Sequence, residues 1–202
     1  NIGSGVTTAK IDSCNFIGDR AIYPDYRKYG NTINIAWTSK STKVIINKCT
    51  FINQEEKGSI LTNCMDYPNV FADNNWWDSN DQNKYEKPRI RGDVVADDWY
   101  YLGFNNPYYM PNEKTQIELS LRSVHGNSQM SIPSIYTITN IRATNATVTQ
   151  ADKYVFYYEP FPDSDKGRID LTLKYSDNHY ENFTFYFLHN AKFVTVHNYD
   201  EL

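Results

Sequence analysis

Asp66, Asp73, Asp78, Asp81 and Asp93 share one stretch of the chain with the cations Lys84, Arg89 and Arg91. Two carboxylates at a set distance are the machinery of glycoside hydrolysis. A carboxylate-held calcium beside a basic residue can instead remove a proton from a uronic sugar. The same residue types also make a solvated loop, and the polar run SNDQNKYEKPRIRGD from Ser79 to Asp93 favours that plainer reading. Asp97 and Asp98, beside Asp93, offer calcium ligands at a domain junction, although without the spacing of an EF-hand loop. His125, His179, His189 and His197 accompany no Ser or Cys in a nucleophile-elbow context. Cys14, Cys49 and Cys64 are odd in number and lie far from every histidine, so they read as apolar filling, with a Cys14 to Cys49 disulfide as the alternative. The sequence therefore implies no catalytic residue, no metal and no cofactor.

Binding is better served than bond-making. Trp77, Tyr100, Tyr101, Tyr108 and Tyr109 are aromatic side chains able to stack on a sugar or a protein surface, and packing within the fold is the competing use. Asn145 and Asn182 open N-glycosylation triplets.

The elements that must position these residues begin with a repeat. Ile11 to Ile17 reads IDSCNFI and Ile46 to Ile52 reads INKCTFI, with Ile, Cys, Phe and Ile kept in place. A weaker third copy, FADNNWW, sets Phe71 at the first position and Trp76 and Trp77 at the last two. Repetition at this scale means stacked units, because one unit cannot bury its apolar face alone. The copies are rich in β-branched and aromatic residues and poor in helix formers. Short apolar pieces lie between them, RAIY from Arg20, TINIAW from Thr32 and SIL from Ser59, each bounded by polar or glycine residues. That pattern predicts a right-handed parallel β-helix, with Phe16 over Phe51 and Cys14 over Cys49 at about 4.8 Å. Of Trp76 and Trp77, one indole is expected to fill the interior and the other to cover a flank, because adjacent strand residues face opposite sides.

The rhythm changes after the repeats. Asp78 to Asp98 reads as a boundary loop, Trp99 to Phe104 as one more aromatic strand, and Pro107 to Pro111 as a linker. Longer alternating runs follow: Thr115 to Leu121, Tyr136 to Ile141, Lys153 to Tyr158, Arg168 to Tyr175, Asn182 to Leu188 and Lys192 to His197. They describe an immunoglobulin-like antiparallel β-sandwich without the Cys-Trp-Cys core of antibody domains. The expected division is 1–106 for the β-helix end with its capping segment and 107–202 for the sandwich.

A net charge of -4 with no run of Lys and Arg argues against nucleic acid as a partner. No apolar run reaches membrane-spanning length, and the first residues lack the apolar core of a signal peptide. Because the amino terminus opens directly into repeat-like sequence, preceding coils are expected, and with them self-association at that uncapped end.

The first half resembles the adhesin-like surface proteins of gut and rumen methanogenic archaea and, more distantly, the chlamydial polymorphic outer-membrane repeats. The likeness is carried by Phe16-Ile17-Gly18-Asp19-Arg20-Ala21-Ile22-Tyr23, more loosely by Phe51-Ile52-Asn53 leading to Gly58-Ser59-Ile60-Leu61, and by Asn75-Trp76-Trp77 with Asp78 where Gly is commoner. Neither copy keeps a double Gly. The resemblance implies a bacterial-Ig-like domain after the coils and a non-catalytic adhesin, at the cell surface or outside the cell. Such a protein attaches to a glycan or protein of another cell, or serves as the stalk that presents the attachment site. The competing class is a polysaccharide lyase or glycoside hydrolase on a β-helix scaffold.

Overall fold

The protein is described by a computed structural model. It describes residues 8–18, 32–35, 41–52, 60–64, 69–81, 90–105, 113–126, 128–176 and 179–189. Among these residues every regular element is a strand, and the strands form both parallel and antiparallel sheets. The expected strands at Arg20 to Tyr23 and Lys192 to His197, and the linker from Pro107, lie outside the described residues. Two compact units emerge: Asn1–Leu102 with Leu121–Pro133, and Gly103–Ser120 with Ser134–Leu202.

In the first unit the repeat motifs set the architecture. Each copy is split by a residue with left-handed backbone, Ser13 (φ 55°), Lys48 (φ 54°) and Asn74 (φ 55°). That bend divides the motif into two short strands. The first strands of the copies, β1 (Thr8–Asp12), β4 (Lys43–Asn47) and β7 (Val70–Phe71), form a parallel sheet with β10 (Val94–Val95). The second strands, β2 (Asn15–Ile17), β5 (Thr50–Ile52) and β8 (Asn75–Trp76), run in parallel ladders that continue into β11 (Trp99–Phe104). A third parallel sheet joins β3 (Ile33–Ile35), β6 (Leu61–Asn63) and β9 (Ile90–Arg91). The polar stretch expected as a boundary loop thus contains β9 and β10. Between them Gly92 (φ +79°) passes so close to Asn63 that an added Cβ would sit 2.0 Å from the Asn63 carbonyl oxygen.

Register explains the core. Ile11 pairs with Ile46 and Phe16 with Phe51, as the repeat predicts. The third copy is shifted by one residue from the expected alignment. Ile45 pairs with Phe71 and Thr50 with Trp76, so Ala72 stands in the place of Ile46 and Trp77 in the place of Phe51. The physical reason is the two-residue period of a strand: a one-residue slip exchanges the two faces. The slip that occurs puts Trp77 flat on Phe51, with ring centroids 4.6 Å apart, and continues the Phe16–Phe51 stack at 5.0 Å. Phe71 keeps the outer side, where the Lys43 ammonium lies 4.5 Å from its ring centroid. Asn75 replaces the repeated cysteine and is fully buried, its Oδ1 accepting the Cys49 N–H (2.9 Å) and its Nδ2 donating to the Ile46 carbonyl (2.9 Å). A buried amide is tolerated when it is bonded in this way.

The cysteines divide. All three are free; Cys49 is buried, and Cys14 and Cys64 are exposed. Interior filling therefore describes Cys49 alone. Its thiol is pushed up to about 11, chiefly by burial.

The second unit is antiparallel. The amino-terminal part of β12 (Thr115–Ser123) pairs with β16 (Val155–Pro160), which pairs with β15 (Ala146–Asp152). A second sheet has the order β14 (Thr137–Thr144), β17 (Lys166–Ser176), β18 (His179–Leu188). Phe104, the last residue of β11, meets Phe156 of β16 and both Phe185 and Phe187 of β18, with centroid separations of 6.0, 4.9 and 5.9 Å. Inside this core His189 is fully buried, its Nε2 2.7 Å from the Tyr158 hydroxyl and its Nδ1 2.8 Å from Ser164 Oγ. With both ring nitrogens partnered, His189 is a satisfied core residue.

Candidate functional site

The five expected aromatic binding residues take different positions. Trp77 is 1% exposed, with one ring face covered by Phe51, and Tyr100 is fully buried. As glycan-stacking residues these two are corrected: neither has a face open to a ligand. Tyr108 and Tyr109 lie outside the described residues. Tyr101 is half-buried and lines a cleft of about 320 Å³ in the first unit.

Local chemistry builds this cleft. Strand β11 alternates, sending Tyr100 inward and leaving Tyr101 toward the opening. The carboxy-terminal end of β12 turns back through a hairpin into β13 (Gln129–Met130), placing Arg122 directly opposite Gln129. Opposed residues of an antiparallel pair share a face, so a guanidinium and an amide stand side by side with the tyrosine ring. Ser123 closes the hairpin, its N–H donating to the Ser128 carbonyl (2.9 Å) and its Oγ accepting the Ser128 N–H (3.1 Å). Gly126 (φ +72°) supplies the left-handed residue of the turn.

The hairpin is fastened to the repeats. The Val124 N–H donates to the Trp99 carbonyl (3.0 Å), and the His125 N–H donates to Asp98 Oδ1 (3.3 Å). Ser128 Oγ donates to Asn74 Oδ1 at 2.7 Å, so it accepts from the Tyr100 hydroxyl at 2.9 Å. Tyr100 is thus a positioning residue for the rim of the cleft.

A half-buried aromatic ring can pack on the C–H face of a sugar. The Arg122 fork can take a carboxylate or a pair of hydroxyls, and Gln129 can donate and accept. Arg122, Ser128 and Gln129 were not singled out in the sequence. The pairing that unites them depends on hairpin register, and only the Gly126 turn hints at it.

Of the carboxylates considered for catalysis or calcium, Asp73 and Asp98 make structural hydrogen bonds. Asp73 Oδ1 accepts the N–H groups of Asp97 (2.8 Å) and Asp98 (3.2 Å), bracing the next repeat. Asp98 Oδ1 is taken up by His125, whose Nδ1 is 3.7 Å away. Asp78 is buried, Asp81 and Asp93 are exposed, and Asp66, Lys84 and Arg89 lie outside the described residues. Among the described residues no group of three His, Cys, Asp or Glu side chains converges to hold a metal ion. Among them, too, no helix is long and apolar enough to cross a membrane.

Of the two glycosylation triplets, Asn145 is exposed between β14 and β15, with its Nδ2 donating to the Lys166 carbonyl (3.0 Å). Asn182 is exposed on β18 and its Oδ1 accepts from Thr172 Oγ1 (2.7 Å).

No protein-family model, curated protein or solved structure matches this chain.

Proposed function

We propose that the chain is a non-catalytic cell-surface adhesin, with coils of a right-handed parallel β-helix followed by an immunoglobulin-like β-sandwich. It attaches to a glycan or protein of another cell, or presents such a site on a stiff stalk. The cleft of Tyr101, Arg122 and Gln129 carries this reading, because its groups suit holding a polar ring ligand. The stalk role draws support from parallel ladders in which equivalent residues of successive repeats stack in register. The non-catalytic part draws support from Asp73 and Asp98, in each of which Oδ1 accepts a backbone N–H. Self-association through the β1 and β2 edges belongs to the same proposal, since both strands end their sheets among the described residues.

A glycan array run beside a depolymerisation assay on pectic and uronic-acid polymers, with and without calcium, tests the proposal. The expected result is binding of at least one array glycan without turnover, with the binding of that cleft ligand lost in Tyr101→Ala. Turnover abolished by Asp73→Asn or Asp78→Asn would instead establish the carbohydrate-active enzyme. Sedimentation over a concentration series tests self-association, and a monomer throughout would refute it.

A further inference from the structure

The outer face of the β14-β17-β18 sheet gathers charge and aromatic surface that the sequence scatters. Strand β18 turns Phe183 and Phe187 into the core and leaves Tyr180 (59% exposed), Tyr186 (69%) and Leu188 (53%) in solvent. Between the tyrosines, Asn182 and Thr184 occupy the same exposed face. Register then brings in the cations: Lys174 stands opposite Tyr180, Arg168 opposite Tyr186 and Lys166 opposite Leu188. One strand further, Arg142 stands opposite Asp170. Directly opposed residues share a face, so among the described residues Lys166, Arg168, Lys174 and Arg142 share this face with Asp170. Asp170 is itself engaged, with its Oδ2 2.9 Å from Arg168 Nη2 and its Oδ1 accepting from Thr184 Oγ1 (2.9 Å). A chain of net charge -4 thus carries a locally basic face.

We infer that this face binds a linear acidic polysaccharide, a polymer of uronic-acid or sulfated sugars. The inference deepens the attachment reading by naming a ligand class, yet it stands on the second unit's sheet alone and not on the Tyr101 cleft. Tyr180 and Tyr186 are six residues apart on one strand, about 20 Å at roughly 3.4 Å per residue. That separation spans several sugar rings. A polymer lying along β18 meets a ring near each end, hydroxyl and amide groups between them, and cations along one flank. Stacking on the tyrosines uses the apolar faces of the sugars, and the cations pair with their carboxylates or sulfates. Single-stranded nucleic acid fits less well, because successive bases need stacking platforms closer together.

Calorimetry of the full chain with polygalacturonate, its fully methyl-esterified form and a single-stranded RNA homopolymer, at low and physiological salt, tests the inference. Polygalacturonate is expected to bind at least tenfold tighter than the ester, with an advantage that shrinks as salt rises. Tyr186→Ala and Arg142→Ala should each weaken it fivefold or more, while Tyr157→Ala, which removes an exposed ring of β16 outside this face, leaves it unchanged. Equal affinity for the ester, tighter binding of the RNA, or loss of binding in Tyr101→Ala alone overturns the assignment. Release of shortened sugars during binding would refute the non-catalytic reading and leave this face as the ligand site.

Discussion

The two clear copies of the repeat share sequence and backbone but differ in surroundings. Ile46, Cys49, Phe51 and Ile52 are all fully buried, whereas Ile11, Phe16 and Ile17 are half-buried and Cys14 is exposed. Their local conformation is the same, with left-handed residues at Ser13 and Lys48. Among the described strands, β4 and β5 have a parallel neighbour on each side and β1 and β2 have one. Identical residue types therefore have different energetic weight: conformation is encoded inside the motif, and burial is conferred by the rungs on either side.

The largest expected difference lies in the ring stack. Phe51→Ala should cost about 3–5 kcal/mol, a buried ring lost from between two others. Phe16→Ala should cost less than about 2 kcal/mol, since part of that ring already meets water. Urea unfolding measures both, and equal costs would break the contrast between the copies.

The next effect is on the thiols. At pH 8 Cys49 should react with a thiol reagent at least about a hundredfold more slowly than Cys14, because burial both blocks access and suppresses the thiolate. Peptide-resolved mass spectrometry after timed labelling would show this, and comparable rates would sink it. The raised Cys49 value also has a sign. The unfolded thiol ionises at 9.0 and the folded one at about 11, so the folded state holds its proton more tightly. The stabilisation is complete below pH 9 and is lost as pH rises through 11, at a slope no steeper than about 1.4 kcal/mol per pH unit. Cys49→Ala should flatten that part of the stability profile and Cys14→Ala should not.

The smallest effect should be common to both copies. Ser13→Gly and Lys48→Gly each relieve left-handed strain while adding chain entropy to the unfolded state, for a net gain of about 0.5–1 kcal/mol. Similar gains in thermal unfolding would confirm that the bend belongs to the motif. A gain at only one site would mean that the neighbouring rungs shape the backbone too.

What could be read from the chain follows from period and residue type. Alternation located β12, β14, β16, β17 and β18, and the repeat predicted the pairing of Phe16 with Phe51. Both are local properties, written in side chains two residues apart or in a copied motif. The third copy escaped by one residue, because either tryptophan could fill the phenylalanine position by type. Only stacking against Phe51 chose Trp77. The strands β9 and β10, two residues each, were hidden in polar sequence.

The sequence by itself determined that this is an all-β protein and that its first part repeats. Tertiary structure decided which aromatics face water, burying Trp77 and Tyr100 and leaving Tyr101, Tyr180 and Tyr186 accessible to different degrees. It also decided which polar groups meet, setting Arg122 beside Gln129 across a hairpin and Arg142, Lys166, Arg168 and Lys174 on one sheet face. The reason is that faces and neighbours across a sheet follow from register between distant segments, which the local pattern of any one strand does not contain.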